Sequence, residues 1–144
     1  MTVYSFDIFD TLITRETATP RGIFLIVQYR LRNEYAERFP VQLIEEFFAI
    51  RTEEEGKARA ECAVEECTFE SIYARIQSRF RLTDVQTGLL RQIELQSELD
   101  HVVAIPSNIE RVHRLLDQGS RVVLISDTYL KEAFIRSLLV AVDG

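Results

Sequence analysis

Apolar positions recur along this chain with two different periods, and the period changes twice. Val3, Tyr4 and Phe6 are β-formers in a short segment, Thr2 to Phe6, that ends at the acidic Asp7. This segment reads as a short buried strand. Ile8-Phe9-Asp10-Thr11-Leu12-Ile13 follows and runs out near Arg15. From about Thr19 to Leu99 the pattern becomes helical. Thr19-Pro20 has the form of a helix start, with Thr as N-cap and Pro at the first helical position. Ile23, Val27, Leu31 and Tyr35 then recur every four residues, and Pro40 interrupts. Leu43, Ile44, Phe47, Phe48 and Ile50 open a second helix. It turns polar through Glu53-Glu54-Glu55, a run expected to form a solvated face. Thr68 is placed to cap a third helix, with Phe69, Ile72, Tyr73, Ile76 and Phe80 on one stripe. Thr83 with Gln86 has the form of a capping box. Val85, Leu89, Ile93 and Gln96 follow it on one face. Four such segments in series predict a helical bundle or cap with an aromatic core.

From about Val102 the chain returns to α/β patterning. Val102 to Ile105 is a third candidate strand. Ser107 with Glu110 has the form of another capping box, ahead of an apolar face at Ile109, Val112, Leu115 and Leu116. Gly119 is placed as the stop of that helix. Arg121 leads into Val122-Val123-Leu124-Ile125, a continuous apolar run of the kind expected in a parallel strand covered on both faces. The run ends at Ser126-Asp127-Thr128, and Leu130, Phe134, Leu138 and Leu139 mark a last helix. In open parallel sheets, ligand sites lie beyond the carboxyl ends of the strands. Asp7 and Ser126 hold that position on two strands. The predicted fold is therefore α/β: part of a doubly wound parallel-sheet core, at 1–15 and 100–144, with an all-helical cap at 16–99 inserted in it.

Composition narrows the class. The 144 residues suggest about one domain, and 47% hydrophobic with 28% charged residues excludes a disordered chain. Lys plus Arg is 17 and Asp plus Glu is 23, a net charge of −6. That balance argues against a nucleic-acid partner, which needs surplus cations to neutralise phosphates. No run approaches the roughly 18 apolar residues of a membrane span, so no membrane partner is expected. No signal-peptide pattern opens the chain, so the expected compartment is the cytoplasm. Cys62 and Cys67 are too few for a disulfide framework and have no zinc-ligand companions nearby; reduced thiols are expected. His101 and His113 are not placed as a catalytic pair.

Phe6-Asp7-Ile8-Phe9-Asp10-Thr11-Leu12 resembles the first motif of the haloacid dehalogenase-like superfamily, a hydrophobic strand followed by a nucleophilic Asp. Val122-Val123-Leu124-Ile125-Ser126-Asp127 resembles its second motif, a strand ending in Ser or Thr. The stretch Leu124 to Leu130 is similar to a subgroup of predicted hydrolases in which it follows a helical insertion. Some of that subgroup occur beside glycosyltransferase domains, and the resemblance extends that partnership to this chain as an expectation. The resemblance implies that Asp7 attacks phosphorus to form an aspartyl-phosphate on a small phosphorylated substrate. It implies Mg²⁺ held by Asp7 and the main-chain carbonyl of Phe9. Ser126 would hold a phosphoryl oxygen, with backbone N–H groups after Ser126 and after Asp7 adding donors. Asp127 and Thr11 would border the substrate, Thr11 chiefly bracing the loop.

The chain departs from that family pattern in two places. Phosphatases of the family carry a second Asp, the general acid/base, two residues after the nucleophile; here that residue is Phe9. Asp10, one residue on, stands where Gly is usual and is the candidate replacement acid, although a shift of one residue on extended chain turns the side chain to the other face. The third and fourth motifs of the family follow the second, and only Asp127 to Gly144 remain. Lys131 and Arg136 are stand-ins for the third, and Asp143-Gly144 comes early for the fourth. The expectation is an N-terminal portion of a Mg²⁺-dependent phosphatase. Two alternatives stay open: a carbon–halogen or carbon–phosphorus hydrolase, suggested by Phe9, and a binding or assembly module without catalysis.

So few strands leave sheet edges open, and open edges recruit partners. The chain is expected to self-associate, or to pair strands across chains. Light scattering at high protein concentration checks this, and a clean monomer would count against it.

Overall fold

The structure is a computed structural model and describes residues 1–62 and 67–143. The chain is mixed α/β and mostly helical. It divides into two compact units, Met1–Glu16 with His101–Gly144, and Thr17–Asp100. No described helix is long and apolar enough to cross a membrane.

In the first unit, β1 (Val3–Asp7) and β4 (Arg121–Ile125) pair in parallel, with Val3 opposite Arg121 and Asp7 opposite Ile125. Both segments are rich in β-branched or aromatic residues, which suit a pleated backbone. A second pair was not legible as such in the sequence. There β2 (Ile13–Arg15) runs antiparallel to β3 (Val102–Ala104), with Ile13 opposite Ala104. Helix α6 spans Pro106–Asp117 and α7 spans Glu132–Asp143.

The start of α6 differs from the capping-box reading. Pro106 occupies its first turn, Ile105 is the N-cap, and no side chain caps it among the described residues. Proline's fixed φ suits the first helical position, so the helix begins there and Ser107 falls inside the first turn. Gly119 does stop α6. Its φ of 76° is left-handed, its N–H donates to the Leu116 carbonyl at 2.9 Å, and the Ser120 N–H donates to Leu115 at 3.0 Å.

Burial on β4 also differs from expectation. Val123, Leu124 and Ile125 are 36, 40 and 56% exposed, not covered on both faces. Among the described residues β1 and β4 have only each other as strand partners, and α6 buries none of its residues. An apolar run encodes a tendency to be covered, and a two-stranded ribbon cannot supply the cover. The buried apolar side chains of this unit are Ile8, Leu12, Ile13, Leu130, Ile135 and Leu138. They come from the loop after β1, from β2, and from α7 with the turn before it.

The second unit holds α1 (Gly22–Glu34), α2 (Val41–Glu45), α3 (Phe47–Glu61), α4 (Phe69–Phe80) and α5 (Asp84–His101), whose last residue passes into the first unit. Thr19-Pro20 does not start α1. The Thr17 hydroxyl donates to the Thr19 carbonyl at 2.6 Å and the Gly22 N–H donates to it at 3.0 Å, which makes a turn first. A Cβ on Gly22 would lie 2.6 Å from that of Thr17, so this close approach requires glycine. The expected second helix is two helices, broken at Glu46, where φ is −119° and ψ 20°. The next two starts follow the sequence. The Ser71 N–H donates to Thr68 Oγ1 at 3.1 Å, and the Thr83–Gln86 box closes in both directions at 2.9 and 3.1 Å.

The acidic run of α3 is not a solvated face. Glu53 is exposed, but Glu54 and Glu55 are 3 and 7% exposed, and Arg51, four residues before Glu55, is fully buried. Arg51 Nε and Nη2 reach the Glu94 carboxylate at 3.0 and 2.9 Å, and Nη1 donates to Glu55 at 2.8 Å. The Tyr73 hydroxyl also donates to Glu94. The Arg51 guanidinium lies 4.4 Å from the Phe24 ring centroid. Glu54 accepts from Arg75 at 2.9 Å and Arg79 at 3.0 Å, both on α4. Outside this centre, the hydrogen bond from Lys57 and then that from Arg79 hold the exposed Glu53 carboxyl below its ordinary range. The buried face of α5 is accordingly mostly polar: Thr87, Glu94, Ser97 and Glu98 beside Leu90 and Ile93. Val85, expected on that face, is 78% exposed. Cys62 and Cys67 are free thiols.

Removing one partner of a buried ion pair strands the other charge, at a typical cost of about 3–5 kcal/mol. Glu94→Gln is expected to lose about that much in urea unfolding. Arg136→Ala, which breaks the exposed Arg136–Glu132 pair, is expected to lose under about 1 kcal/mol. Equal losses would show that the buried pair carries no special weight.

Candidate functional site

The site begins with backbone register. Asp7 is the last residue of β1 and sits opposite Ile125, the last residue of β4. Ser126 follows at once. Asp7 and Ser126 therefore sit at the same carboxyl edge of two neighbouring parallel strands. Asp7 and Asp127 are exposed, and Ser126 is half-buried. Asp7 Oδ1 accepts the Ile8 N–H at 2.9 Å, which turns one carboxylate oxygen back on the chain.

After Asp7 the chain closes a tight loop. The Leu12 and Ile13 N–H groups donate to the Ile8 carbonyl at 2.8 and 3.1 Å, and the Asp10 N–H donates to Ile13 at 2.7 Å. Asp10 has a φ of 59°, in the left-handed region. Glycine adopts that region freely, and among other residues Asn and Asp tolerate it best. That is a physical reason for Asp at a position where the resembling motif has Gly. Asp10 Oδ1 accepts the Thr14 hydroxyl at 2.8 Å, so the carboxylate braces its own turn.

Thr11 is half-buried, and its carbonyl accepts the Asn108 side-chain amide at 2.7 Å. The Leu12 carbonyl accepts the Ile105 N–H at 2.8 Å. The start of α6 thus anchors the loop from outside. Phe9 is half-buried and bridged to Ile13, and the Arg15 guanidinium lies 4.5 Å from its ring centroid. On the other strand, Thr128 Oγ1 accepts the Leu130 N–H at 3.4 Å and shapes the turn after Ser126-Asp127. Lys131 is exposed ahead of α7, and Arg136 is bound to Glu132 at 2.7 Å within it. Of Asp143-Gly144, Asp143 lies 2.9 Å from His113 Nε2, and Gly144 is outside the described residues.

Asp7, Phe9, Asp10 and Thr11 thus share one loop, and the β1–β4 register sets Ser126 and Asp127 beside it. Sequence reasoning missed Arg15, Thr14 and Asn108. The alternation Ile13-Thr14-Arg15 could have pointed to β2, and hence to a side chain brought back over Phe9. Nothing local marks Asn108 as a brace.

Mg²⁺ would be held here by oxygen donors. The Asp7 carboxylate and the Phe9 carbonyl are hard oxygen donors, and Asp7 is open to solvent. Among the described residues no group of three or more His, Cys, Asp or Glu side chains is placed to hold a metal ion. Mg²⁺ commonly uses one or two carboxylates, with waters and phosphate oxygens filling the rest, so the donor set fits. The helical unit has an open groove lined by Glu54, Lys57, Glu61, Arg75 and Arg79, and those charges pair with one another.

Comparison with protein-family models and with curated proteins finds no match.

The left-handed backbone at Asp10 gives a direct test. Asp10→Ala and Asp10→Gly both lose the Thr14 bond, but only Ala meets the backbone penalty. Asp10→Ala is expected to be less stable than Asp10→Gly by about 1 kcal/mol in urea unfolding. Equal stabilities would mean that the turn does not hold this conformation.

Proposed function

We propose that the chain carries the nucleophile-bearing part of a phosphoryl-transfer hydrolase of the haloacid dehalogenase-like kind. One observation carries this reading: parallel pairing of Asp7 with Ile125, which sets a strand-end carboxylate beside a strand-end Ser at one sheet edge. In this reading Met1–Glu16 with His101–Gly144 belongs to the α/β core, and Thr17–Asp100 is the cap. The Asp7 carboxylate attacks the phosphorus of a small phosphorylated substrate. The Ser126 hydroxyl donates to a phosphoryl oxygen, and backbone N–H groups of the two loops add to it. Asp127 borders the substrate. Thr11, held through its carbonyl by Asn108, keeps the loop in place. Asp7 and the Phe9 carbonyl would hold Mg²⁺, which supplies the charge neutralisation that an anionic phosphate needs.

A second reading, carbon–halogen or carbon–phosphorus hydrolysis on the same scaffold, is favoured by Phe9, which supplies no proton. The test is hydrolysis of p-nitrophenyl phosphate with Mg²⁺. Asp7→Asn is expected to fall to background, and Ser126→Ala to lose about 10²–10³-fold, as for other donors to a developing anion. Equal rates for wild type and Asp7→Asn would remove Asp7 as nucleophile. Chloride release from a 2-haloacid with no need for Mg²⁺ would move the assignment to the second reading.

A further inference from the structure

We infer that the outer edge of β4 is a self-pairing surface: two copies of this chain join through antiparallel β4 strands about a two-fold axis at Leu124, with each Arg121 opposite Asp127 of the second copy. The inference is independent of the phosphoryl-transfer reading above.

Backbone phase comes first. The Arg121 N–H donates to the Thr2 carbonyl at 3.2 Å, so the backbone groups of Arg121, Val123 and Ile125 turn toward β1. These groups alternate in direction along a strand, and those of Val122 and Leu124 therefore turn outward. Among the described residues β4 has no strand on that side. Val123, Leu124 and Ile125, three residues in a row, are exposed. An apolar edge of this kind pairs with another strand unless charge or proline blocks it. From Val122 to Ile125 there is neither.

An antiparallel pair of identical strands closes on a two-fold axis. Outward groups must meet outward groups, which admits few registers. Centred on Val122 or Val123, the pair sets Arg121 against Val123 or Ile125 of the second copy. Centred on Ile125, it sets Asp127 against Val123. Centred on Leu124, it sets the exposed Arg121 against the exposed Asp127 at both ends. On the same face Val123 then meets Ile125, and on the other face Leu124 meets its own copy and Val122 meets Ser126. Opposite charges and β-branched neighbours placed this way are favourable cross-strand pairs. The outer edge of β1 offers no such match, because β1 holds no cation to set against Asp7. A contact one strand wide falls below the standard interface size, so monomer and dimer exchange with concentration. The pairing also brings Arg121 of the second copy beside Ser126-Asp127, at the edge of the candidate site.

The experiment follows mass against concentration for the full chain by size exclusion with light scattering. Wild type is expected to reach the dimer mass and go no higher. Arg121→Asp and Asp127→Arg each set like charges opposite one another, and each is expected to weaken association by about tenfold. The double variant, with the charges exchanged, is expected to restore it. Register is read separately in a chain carrying Cys62→Ser and Cys67→Ser, which removes both free thiols. There Leu124→Cys should give a disulfide-linked dimer, with oxidised glutathione taking up the two electrons and the two thiol protons. Residues paired across the axis have Cα atoms about 5.5 Å apart, within disulfide reach. Val122→Cys should give no such dimer. A monomer at every concentration, with no cross-link at Leu124, overturns the inference. Association that ignores both charge reversals, or a cross-link at Val122 in place of Leu124, also overturns it, since the copies then meet in another way. Mass that climbs past the dimer does the same, because a two-fold contact closes and only an open-ended one grows.

Discussion

Five paired positions of β1 and β4, from Val3 opposite Arg121 to Asp7 opposite Ile125, are what the candidate site depends on. Parallel strands cannot be joined by a hairpin and need a long crossover. Here the chain between them contains β2, the whole helical unit, β3 and α6. Asp7 and Ser126 are far apart in sequence and meet only because the two backbones hydrogen-bond in this register. A slip of one residue would send alternate side chains to the opposite face and part the two strand ends. The loop after β1 is then held by contacts from the later segment: Asn108 on the Thr11 carbonyl and Ile105 on the Leu12 carbonyl.

The helical unit is organised by charge as much as by apolar packing. Arg51 of α3 binds Glu94 of α5, lies against Phe24 of α1, and shares Glu94 with Tyr73 of α4. A buried pair of this kind adds little net stability over an apolar replacement, because both charges must leave water. Its directional bonds do penalise any register that strands a charge. Leu43, Phe47, Ile50, Ile72, Ile76 and Leu90 supply the apolar cover around these helices. The two contributions differ in kind: the apolar residues make collapse favourable, and the bonds to Arg51 favour one arrangement of the helices over others.

How much of this was legible depended on whether the signal was local. Thr68 and Thr83 cap their helices because a cap is settled within four residues. Gly119 stops α6 for the same reason, since its left-handed φ is a property of one residue. Glu54 and Glu55 misled because a run of acids looks solvated until an arginine is known to face it. Val85 misled because the buried stripe of α5 uses Glu94, Ser97 and Glu98 where an apolar count expects hydrophobes. Pro106 outranked Ser107 because a fixed φ constrains the helix start more strongly than a side-chain cap does.

The sequence by itself determined β1, β3, β4 and most of the helical segments, where two helices are capped, and that Asp7 and Ser126 stand at strand ends, but it marked neither β2 nor the break at Glu46. Each of these depends on residues close along the chain, whose periodicity and turn chemistry act before any tertiary contact forms. Tertiary structure alone decided that the two strand ends lie side by side, that Arg15 covers Phe9, and that Arg51 is buried against Glu94. It also left Val123, Leu124 and Ile125 exposed, although their apolar run asks for cover. The physical reason is the same in each case. Propensity is a property of a segment, whereas register, charge pairing and burial belong to pairs of segments and come into being only when those segments meet.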